Sequence, residues 1–330
     1  MSIGPFELIE RLGQGAQGEV WKAHHRSGGG TPEVVALKVL NPDLIRSPNR
    51  LAQFRHEAER GTRLTGPSLL RVTEFGQVDR FFYMAMPLIE GTTLQQIIRN
   101  RRYRLQGRPV ELTHRLIYLD EGRYLRDALR IMGRAAHALG RIHASRVVHR
   151  DIKPANILLD ARRGLDVYLC DLGLGRDLEF ATPQQMRDGA GTPMYMAPER
   201  LLKAPADEML CDLYSLGVTL FESVTLDRPF QPPDGLPVGC LSVYLASSLP
   251  RRPGILKPGI PAELEAVILK AMARAPEHRY RSADELASTL DRLAHRLDPS
   301  APPPVGNASG SQTHGPRVGR LLLRPAYPAR

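Results

Sequence analysis

The sequence contains few cysteines, few aromatic residues and no long apolar stretch. Its 330 residues include three cysteines, Cys170, Cys211 and Cys240, which are far apart and lack CxxC spacing. This pattern argues against a disulfide framework or a zinc knuckle and fits a reducing compartment. No apolar run approaches the roughly 20 residues of a membrane-spanning helix, and the N-terminal residues do not resemble a signal peptide. We therefore expect a cytoplasmic protein with no membrane span.

Lysine is scarce among the basic residues. Only six of the 45 basic residues are lysine, and the formal net charge is +10. A basic chain can bind nucleic acid or an anionic surface through its charge alone, but an arginine excess can also follow from codon composition. A nucleic-acid or anionic-surface binder is therefore kept as one hypothesis, although nucleic acid is not the partner we expect.

Residue patterns divide the chain into a strand-rich part, a helical part and a polar tail. Alternating or β-branched runs between turns predict strands at 6–12, 19–24, 34–40, 72–75 and 81–86. A helix is predicted from Pro48 to about Leu64, with Ser47 as its N-cap. After Pro87, the spacing of apolar residues predicts helices at 125–144, 262–273 and 283–297, and a further apolar helix within 205–225. Residues 298–330 are rich in Pro, Gly, Ala and Ser, which predicts a disordered tail.

One stretch of the helical part, residues 99–122, is rich in arginine. Its basic residues include Arg99, Arg101, Arg102, Arg104 and Arg108. We expect an exposed insertion whose charges are solvated, and a docking patch for an acidic partner is the alternative.

A glycine-rich motif lies between the first two predicted strands. Gly13, Gly15 and Gly18 have GxGxxG spacing, which lets backbone amides approach a phosphate closely. In dinucleotide-binding folds a helix follows this motif directly, and an acidic residue comes about 20 residues later. Here a strand follows, and the residue at that distance is Lys38. The motif is therefore not the dinucleotide-binding type.

Lys38 and Glu57 form a candidate ion pair. Lys38 lies in an otherwise apolar strand, and a compact ammonium can pair with phosphate oxygens. Glu57 lies on the first predicted helix and could hold this ammonium, while Glu59 is a rival on another face of that helix. Taken alone, each residue is more simply interpreted as a solvated side chain.

The strongest signal is a polar cluster next to an apolar strand. The segment HRDIKPANILL, residues 149–159, brings Asp151, Lys153 and Asn156 close together. A carboxylate can accept the proton of an attacking hydroxyl, and an amide oxygen can ligate a hard cation. Asp171 follows a second apolar run and precedes Leu-Gly, and a carboxylate there suits a metal that bridges phosphates.

In combination, the glycine-rich loop, VALK, the helix glutamate, HRDxKxxN, DLG and APE resemble the protein kinase signature. The resemblance is to the bacterial, eukaryotic-like (Hanks-type) serine/threonine kinases and covers about residues 6–297. It implies an α+β, bilobal protein kinase-like fold, with a small β-rich N-lobe (about 1–87) and a larger α-helical C-lobe (about 88–297). It also implies ATP and Mg²⁺ as cofactors, and proteins with serine or threonine acceptors as substrates.

The resemblance assigns roles to individual residues. Asp151 would be the catalytic base, and Lys153 would stabilise the transferred phosphoryl group. Lys38, braced by Glu57, would hold the α and β phosphates. Asn156 and Asp171 would bind Mg²⁺. With Met86 as gatekeeper and Leu88 in the hinge, the expected nucleotide contacts are Leu12, Gly13, Gln14, Gly15, Ala16, Gln17, Gly18, Val20, Ala36, Lys38, Met86, Leu88 and Leu158.

The same resemblance implies scaffold residues and a choice of acceptor. Glu199 would pair with Arg279, and Asp212 would brace the catalytic loop. Lys153, two residues after Asp151, resembles the serine/threonine rather than the tyrosine kinases. A kinase-like scaffold without catalysis is the alternative, but the full catalytic set is present, and leucine can fill the place of the usual phenylalanine in DLG.

Regulation by phosphorylation is a further expectation. Arg150 precedes the catalytic aspartate, and in the family such an arginine commonly receives a phosphate from the activation segment. Between Asp171 and Glu199 the only hydroxyl outside the GTPMYMAPE segment belongs to Thr182. We therefore expect a switch at Thr182, with Arg150 lacking a partner until that residue is phosphorylated.

Overall fold

Two antiparallel sheets supply the strands of the protein. The computed structural model describes residues 1–15, 18–26, 32–41, 48–64, 66–161, 165–171 and 192–298. In these ranges the strands are β1 (Ser2–Ile3), β2 (Phe6–Gly15), β3 (Gly18–His25), β4 (Glu33–Leu40), β5 (Glu74–Val78), β6 (Phe81–Pro87), β7 (Gly91–Thr93), β8 (Ile157–Asp160) and β9 (Val167–Leu169). The large sheet has the order β1-β2-β3-β4-β6-β5, and the small sheet has the order β7-β8-β9.

Helices dominate the chain after the large sheet. They are α1 (Pro48–Arg63), α2 (Leu94–Leu105), α3 (Arg115–Tyr118), α4 (Glu121–Ala144), α5 (Pro198–Leu201), α6 (Glu208–Thr225), α7 (Leu241–Ser247), α8 (Pro253–Leu256), α9 (Ala262–Ala271) and α10 (Ala283–Arg296). Only α1 of this set precedes the last strand of the large sheet, so a β-rich lobe is followed by a helical lobe. The predicted α+β, bilobal arrangement is confirmed. Within the described ranges, no helix has the length and apolarity needed to cross a bilayer.

The two faces of the large sheet are covered differently. Val35, Leu37 and Val39 of β4 belong to a core cluster formed with β2, β3 and β6. On the opposite face, Leu40 belongs to a cluster that includes Phe54 of α1. Because side chains alternate along a strand, the even-numbered residues of β4 share the face that α1 covers. Lys38 is one of these residues, which is why a carboxylate on α1 can reach it.

Helix α6 forms the centre of the helical lobe. Residues 211–224 of this helix are all buried, and a helix that is enclosed on every side belongs to a domain core. Its N-cap is Asp207, whose carboxylate accepts hydrogen bonds from the amides of Met209 and Leu210. The capping geometry starts the helix at Glu208, inside the range 205–225 in which the apolar pattern predicts a helix.

Most predicted elements are present, and two differences have simple causes. The strand predicted at 72–75 is observed at Glu74–Val78, where Gly76 and Gln77 pair with β6 although neither residue favours strands. Helix α2 was not predicted as an element. Its buried residues Leu94, Ile97 and Ile98 form an apolar face. The arginines that follow interrupt the apolar spacing by which a helix is recognised in the sequence.

The arginine-rich stretch is more deeply packed than we expected. Arg101 is 1% exposed, and its Nη1 donates hydrogen bonds to the carbonyl oxygens of Leu116, Ile117 and Leu119 at 3.1, 3.2 and 2.9 Å. The guanidinium also lies 3.8 Å from the ring centre of Tyr124. The expectation of an exposed, solvated insertion is therefore wrong for Arg101, which closes the loop between α2 and α4.

The predicted tail is almost entirely outside the described residues. Only Asp298 is described, and its carboxylate lies 2.7 Å from Arg126 Nη1 on α4. This ion pair fixes the end of the described chain against the first part of α4.

Helices α4 and α10 pack closely around a histidine. A Cβ added at Gly133 of α4 would lie 2.6 Å from the side chain of Asp291 on α10. A Cβ added at Gly140 would lie 2.5 Å from the side chain of Asp284 on the same helix. Between these contacts, His137 Nε2 lies 2.8 Å from Asp291 Oδ2. The hydrogen bond to Asp291 raises the pKa of His137, while partial burial and the neighbouring Arg141 act in the opposite direction.

We expect this contact to make stability depend on pH. The pKa of His137 is higher in the folded chain, so protonated His137 stabilises the fold below about pH 6.5, its unfolded pKa. This contribution is lost as the pH rises through the folded pKa. His137→Asn should destabilise the protein by about 0.5–1 kcal/mol more at pH 6 than at pH 9, measured by urea denaturation at both pH values.

His278→Asn is the matched control because His278 is exposed in the same lobe. Equal destabilisation by His137→Asn at both pH values would show that the charge on the imidazole contributes nothing.

Candidate active site

Four of the residues expected around the nucleotide share one face of the large sheet. Val20 lies opposite Lys38 in the β3–β4 ladder, and Ala36 lies opposite Met86 in the β4–β6 ladder. Directly opposed residues project to the same side, and Ala36 and Lys38 are two positions apart in one strand. The register therefore places these side chains together on the face that α1 partly covers.

The hinge connects this face to the small sheet. The chain runs from Met86 through Leu88 to β7, where Thr93 lies opposite Leu158. Leu158 is only partly buried, although Ile157 and Leu159 on either side are 0% exposed. Leu12, at the other edge, is 47% exposed. Partly open apolar side chains of this kind suit a flat aromatic ligand such as adenine.

The glycine-rich loop joins β2 to β3. Gly13, Gln14 and Gly15 end β2, Gly18 begins β3, and Ala16 and Gln17 lie outside the described residues. At Gly18 a Cβ would lie 1.9 Å from the backbone oxygen of Val39, so only glycine fits there. At Gly13 no described atom lies within 4 Å of a Cβ position, which leaves this backbone open to a ligand.

Lys38 forms two short ion pairs. Its Nζ lies 2.7 Å from Glu57 Oε1 and 2.7 Å from Asp171 Oδ1. The Lys38 and Glu57 side chains are almost fully buried, and the Asp171 side chain is about half exposed. Glu59, the rival carboxylate, is exposed. The sheet, helix α1 and the end of β9 therefore meet at one ammonium group.

The pKa values of this trio follow from their packing. Burial alone would lower the pKa of Lys38, but the carboxylates of Asp171 and Glu57 outweigh burial and raise it above the ordinary value. The charge of Lys38 lowers the pKa of Asp171. Burial raises the pKa of Glu57 against the opposing effect of Lys38. Lys38 is therefore a charged ammonium at neutral pH and can neutralise phosphate oxygens.

Asp212 of α6 holds the start of the loop that carries Asp151. Its Oδ2 accepts a hydrogen bond from the His149 amide and its Oδ1 accepts one from the Arg150 amide, both at 2.7 Å. His143 Nε2 lies 3.0 Å from the same Oδ2. The expected bracing by Asp212 is present, and it is applied to the two residues that directly precede Asp151.

Asp151, Lys153 and Asn156 form one hydrogen-bonded group. Lys153 Nζ donates to Asp151 Oδ2 at 2.7 Å, and Asn156 Nδ2 donates to the same oxygen at 3.0 Å and to the Asp151 carbonyl at 2.8 Å. These donors fix the orientation of the carboxylate. Arg150 and Asp171 have backbone φ angles of 66° and 52°, a conformation that is costly for residues with a Cβ.

The donor set suits a magnesium ion. Because the Asn156 amide nitrogen is engaged with Asp151, its amide oxygen is the group left to face a cation. Asp171 supplies a half-exposed carboxylate of lowered pKa. Mg²⁺ prefers oxygen ligands and usually binds to one or two protein side chains together with substrate phosphates. Asn156 and Asp171 would hold such an ion.

The predicted scaffold pair is present. Arg279 is fully buried, and its Nη1 and Nη2 donate to the two carboxylate oxygens of Glu199 at 2.7 and 2.9 Å. Partial burial would raise the pKa of Glu199, but the hydrogen bonds from Arg279 outweigh it and lower this pKa. The pair links the segment around α5 to the loop before α10.

The structure corrects one expectation and adds residues that the sequence did not indicate. Arg150 does not lack a partner, because its Nε lies 3.2 Å from Glu208 Oε2. Thr182 lies outside the described residues. Tyr195 in the GTPMYMAPE segment donates a 2.5 Å hydrogen bond to buried Glu222. The only sequence signal that could have suggested the Arg150–Glu208 contact is the i, i+4 spacing of Glu208 and Asp212.

Comparison with known proteins agrees with this geometry. The sequence profile of the protein kinase domain matches residues 6–280. The crystal structure of the Mycobacterium tuberculosis PknI kinase domain is similar at a TM-score of 0.63 and 25% identity, covering 88% of this chain and 97% of that one.

Bacterial relatives differ in the activity that their names state. A tyrosine-protein kinase of Myxococcus xanthus, MasK, is 32% identical over 92% of this chain. A probable serine/threonine-protein kinase of Streptomyces coelicolor, SCO3848, is 32% identical over 87%. The serine/threonine-protein kinase PknB of Mycobacterium tuberculosis is 29% identical over 96%. The matches cover 45%, 40% and 47% of these relatives, so the chain spans less than half of their length.

We expect Asp212→Asn to affect both stability and turnover. The amide retains only one acceptor oxygen for two backbone N–H groups, which should lower the free energy of unfolding by about 1–3 kcal/mol. The loosened loop should also lower the rate of ATP-dependent phosphoryl transfer. Asp207→Asn is the control, because asparagine caps a helix as well as aspartate does. Unchanged stability and turnover in Asp212→Asn would contradict the bracing role.

Proposed function

Because the chain belongs to the protein kinase family, we propose that it transfers the γ-phosphoryl group of ATP to serine and threonine hydroxyls of proteins. The observation that carries this proposal is the meeting of two groups at the place where β8 begins and β9 ends. One is Lys38 between Glu57 and Asp171, and the other is Asp151 held by Lys153 and Asn156. Phosphoryl transfer needs positioning and charge neutralisation, which these residues can supply.

Each residue has a defined task in this proposal. Asp151 orients the acceptor hydroxyl and takes its proton. Lys153, already 2.7 Å from Asp151, neutralises charge on the transferred group. Lys38 positions the phosphates, and Asn156 and Asp171 hold magnesium. The metal supplies neutralisation of the charge that develops on the phosphate oxygens.

The adenine and the ribose would bind between the lobes. Val20, Ala36, Met86, Leu88 and Leu158 supply apolar surface for the adenine ring. The hinge backbone offers hydrogen-bonding groups, and the open backbone at Gly13 suits the phosphates.

Serine and threonine are favoured over tyrosine as acceptors. Lys153 reaches the catalytic carboxylate directly, an arrangement that resembles the serine/threonine kinases. Relatives named as serine/threonine kinases include PknB, PknH and SCO3848, although MasK is named as a tyrosine kinase. The acceptor type is therefore the first property to measure.

The defining experiment identifies the phosphorylated residue type. The purified chain is incubated with γ-labelled ATP, MgCl₂, myelin basic protein and a Glu/Tyr copolymer, and hydrolysed products are separated as phosphoserine, phosphothreonine and phosphotyrosine. We expect label on serine and threonine. Asp151→Asn should lower the rate by about 100-fold or more, and Asp171→Asn should abolish the magnesium-dependent transfer.

Asp234→Asn is the matched control, because Asp234 is an exposed carboxylate in the same lobe. Label confined to tyrosine would replace the proposed acceptor class. Tight ATP binding without any transfer would favour a scaffold without catalysis.

Replacement of Lys38 separates phosphate positioning from nucleotide affinity. In Lys38→Met, turnover should fall by about 100-fold or more, because a charge that stabilises the transition state is lost. The dissociation constant for ATP, measured by calorimetry, should change much less. Glu57 loses its cation in this variant, and the pKa of Glu57, already raised by burial, should rise further.

Lys270→Met is the control, since Lys270 lies on α9 and pairs with Glu285 at the surface. If Lys38→Met weakens ATP binding as much as it lowers turnover, Lys38 binds the nucleotide equally strongly in the ground state and in the transition state, and it does not act by positioning the phosphates.

A further inference from the structure

Arg150 is a strained residue next to the proposed catalytic base. Its φ of 66° lies in the left-handed region, and such a conformation persists when neighbouring contacts fix it. The Arg150 amide donates to Asp212 Oδ1 at 2.7 Å. The Arg150 carbonyl accepts a longer hydrogen bond, 3.4 Å, from Arg200 Nη1. The backbone is thus held from both sides of the residue.

The Arg150 side chain is held by Glu208. Arg150 Nε lies 3.2 Å from Glu208 Oε2, and Arg200 Nε lies 3.7 Å from the same oxygen. One carboxylate therefore lies between two guanidinium groups. Neither Arg150 Nε nor Glu208 Oε2 has a hydrogen-bond partner in the part of the chain that the structure describes. The contact is an ion pair that depends on charge, so a neutral side chain of the same shape should not replace it.

Helical geometry explains why one helix can supply both contacts. Glu208 is the first residue of α6, and Asp212 follows it four positions later. Residues at i and i+4 lie on the same helix face, so both carboxylates face the catalytic loop. Asp207 caps the helix at this end, and an acidic residue in the first turn is favoured by the helix dipole. Glu208 is therefore fixed on the most deeply buried helix of the lobe.

We propose that Glu208 is a positioning residue for phosphoryl transfer. Through Arg150 it holds Asp151 in the orientation that transfer requires, in chains that carry no phosphate on the activation segment. This inference rests on the proposed kinase activity. It replaces the expectation that Arg150 waits for a phosphate, because Glu208 already supplies the negative charge that such a phosphate would bring.

The test removes the charge of Glu208 in a phosphate-free background. Thr182→Ala chains, treated with phosphatase and checked by mass spectrometry, are compared with the same chains carrying Glu208→Gln, Glu208→Asp or Glu263→Gln. Initial rates of transfer to myelin basic protein are measured at varied ATP concentration. Glu263→Gln is the matched control, since Glu263 forms an exposed ion pair with Arg296.

We expect a split between turnover and affinity. Glu208→Gln should lower kcat by about tenfold or more while the KM for ATP changes by less than about twofold, because loop geometry is altered and the nucleotide contacts are not. Glu208→Asp should recover most of the rate, because it restores the charge. The thermal midpoint should stay close to that of the parent, because both side chains are about one-third exposed and a partly exposed ion pair contributes little to stability.

A second measurement does not require activity. Hydrogen exchange of the Arg150 amide, which Asp212 protects, should be faster in Glu208→Gln than in the parent or in Glu263→Gln. Parent-like kcat and parent-like exchange in Glu208→Gln would overturn the inference while leaving the kinase proposal intact. An inactive parent would contradict the kinase proposal, and the exchange rate would then decide whether Glu208 positions the loop.

Discussion

The buried ammonium of Lys38 is the constraint on which the geometry of the site depends. A cation so deeply enclosed must be paired, because leaving it alone in a medium of low polarity is very costly. Glu57 and Asp171 satisfy it at 2.7 Å each. To do so they bring α1 and the end of β9 against β4, so the cleft has its shape even without a nucleotide. Glu57 and Asp171 are 19 and 133 residues away from Lys38 in the sequence.

Helix α6 plays the corresponding part in the helical lobe. Its first turns provide Glu208 and Asp212 for the catalytic loop, while Ser215 donates to the carbonyl of Tyr195 at 2.8 Å and Glu222 accepts from the Tyr195 hydroxyl. One buried helix thus positions the residues before Asp151 and the segment that leads to Glu199. Because α6 is enclosed on every side, these contacts share a rigid support, and strain at Arg150 can be maintained.

Sequence reasoning was most successful where a motif has a fixed local spacing. Asp151, Lys153 and Asn156 are close in sequence, so their hydrogen bonds follow from a single loop conformation. Choosing Glu57 over Glu59 needed the helical face, and the structure supports that choice. The Arg150–Glu208 contact joins two segments 58 residues apart, and only the i, i+4 spacing of Glu208 and Asp212 hints at it in the sequence. The strand near residue 74 was misplaced because its residues take their conformation from pairing with β6 rather than from propensity.

The arginine-rich stretch shows why net charge alone does not identify a binding surface. Arg101, Arg102 and Arg104 all direct guanidinium N–H groups at backbone carbonyls, in α3 and its flanking residues or at Leu226. Guanidinium carries several donors in a fixed plane, so one side chain can satisfy carbonyl groups at helix ends that would otherwise need water. The charge of Arg101 is therefore enclosed in the lobe, while Arg102 and Arg104 are held against the backbone nearer the surface. A net charge of +10 consequently overstates the basic surface that remains for an anionic partner.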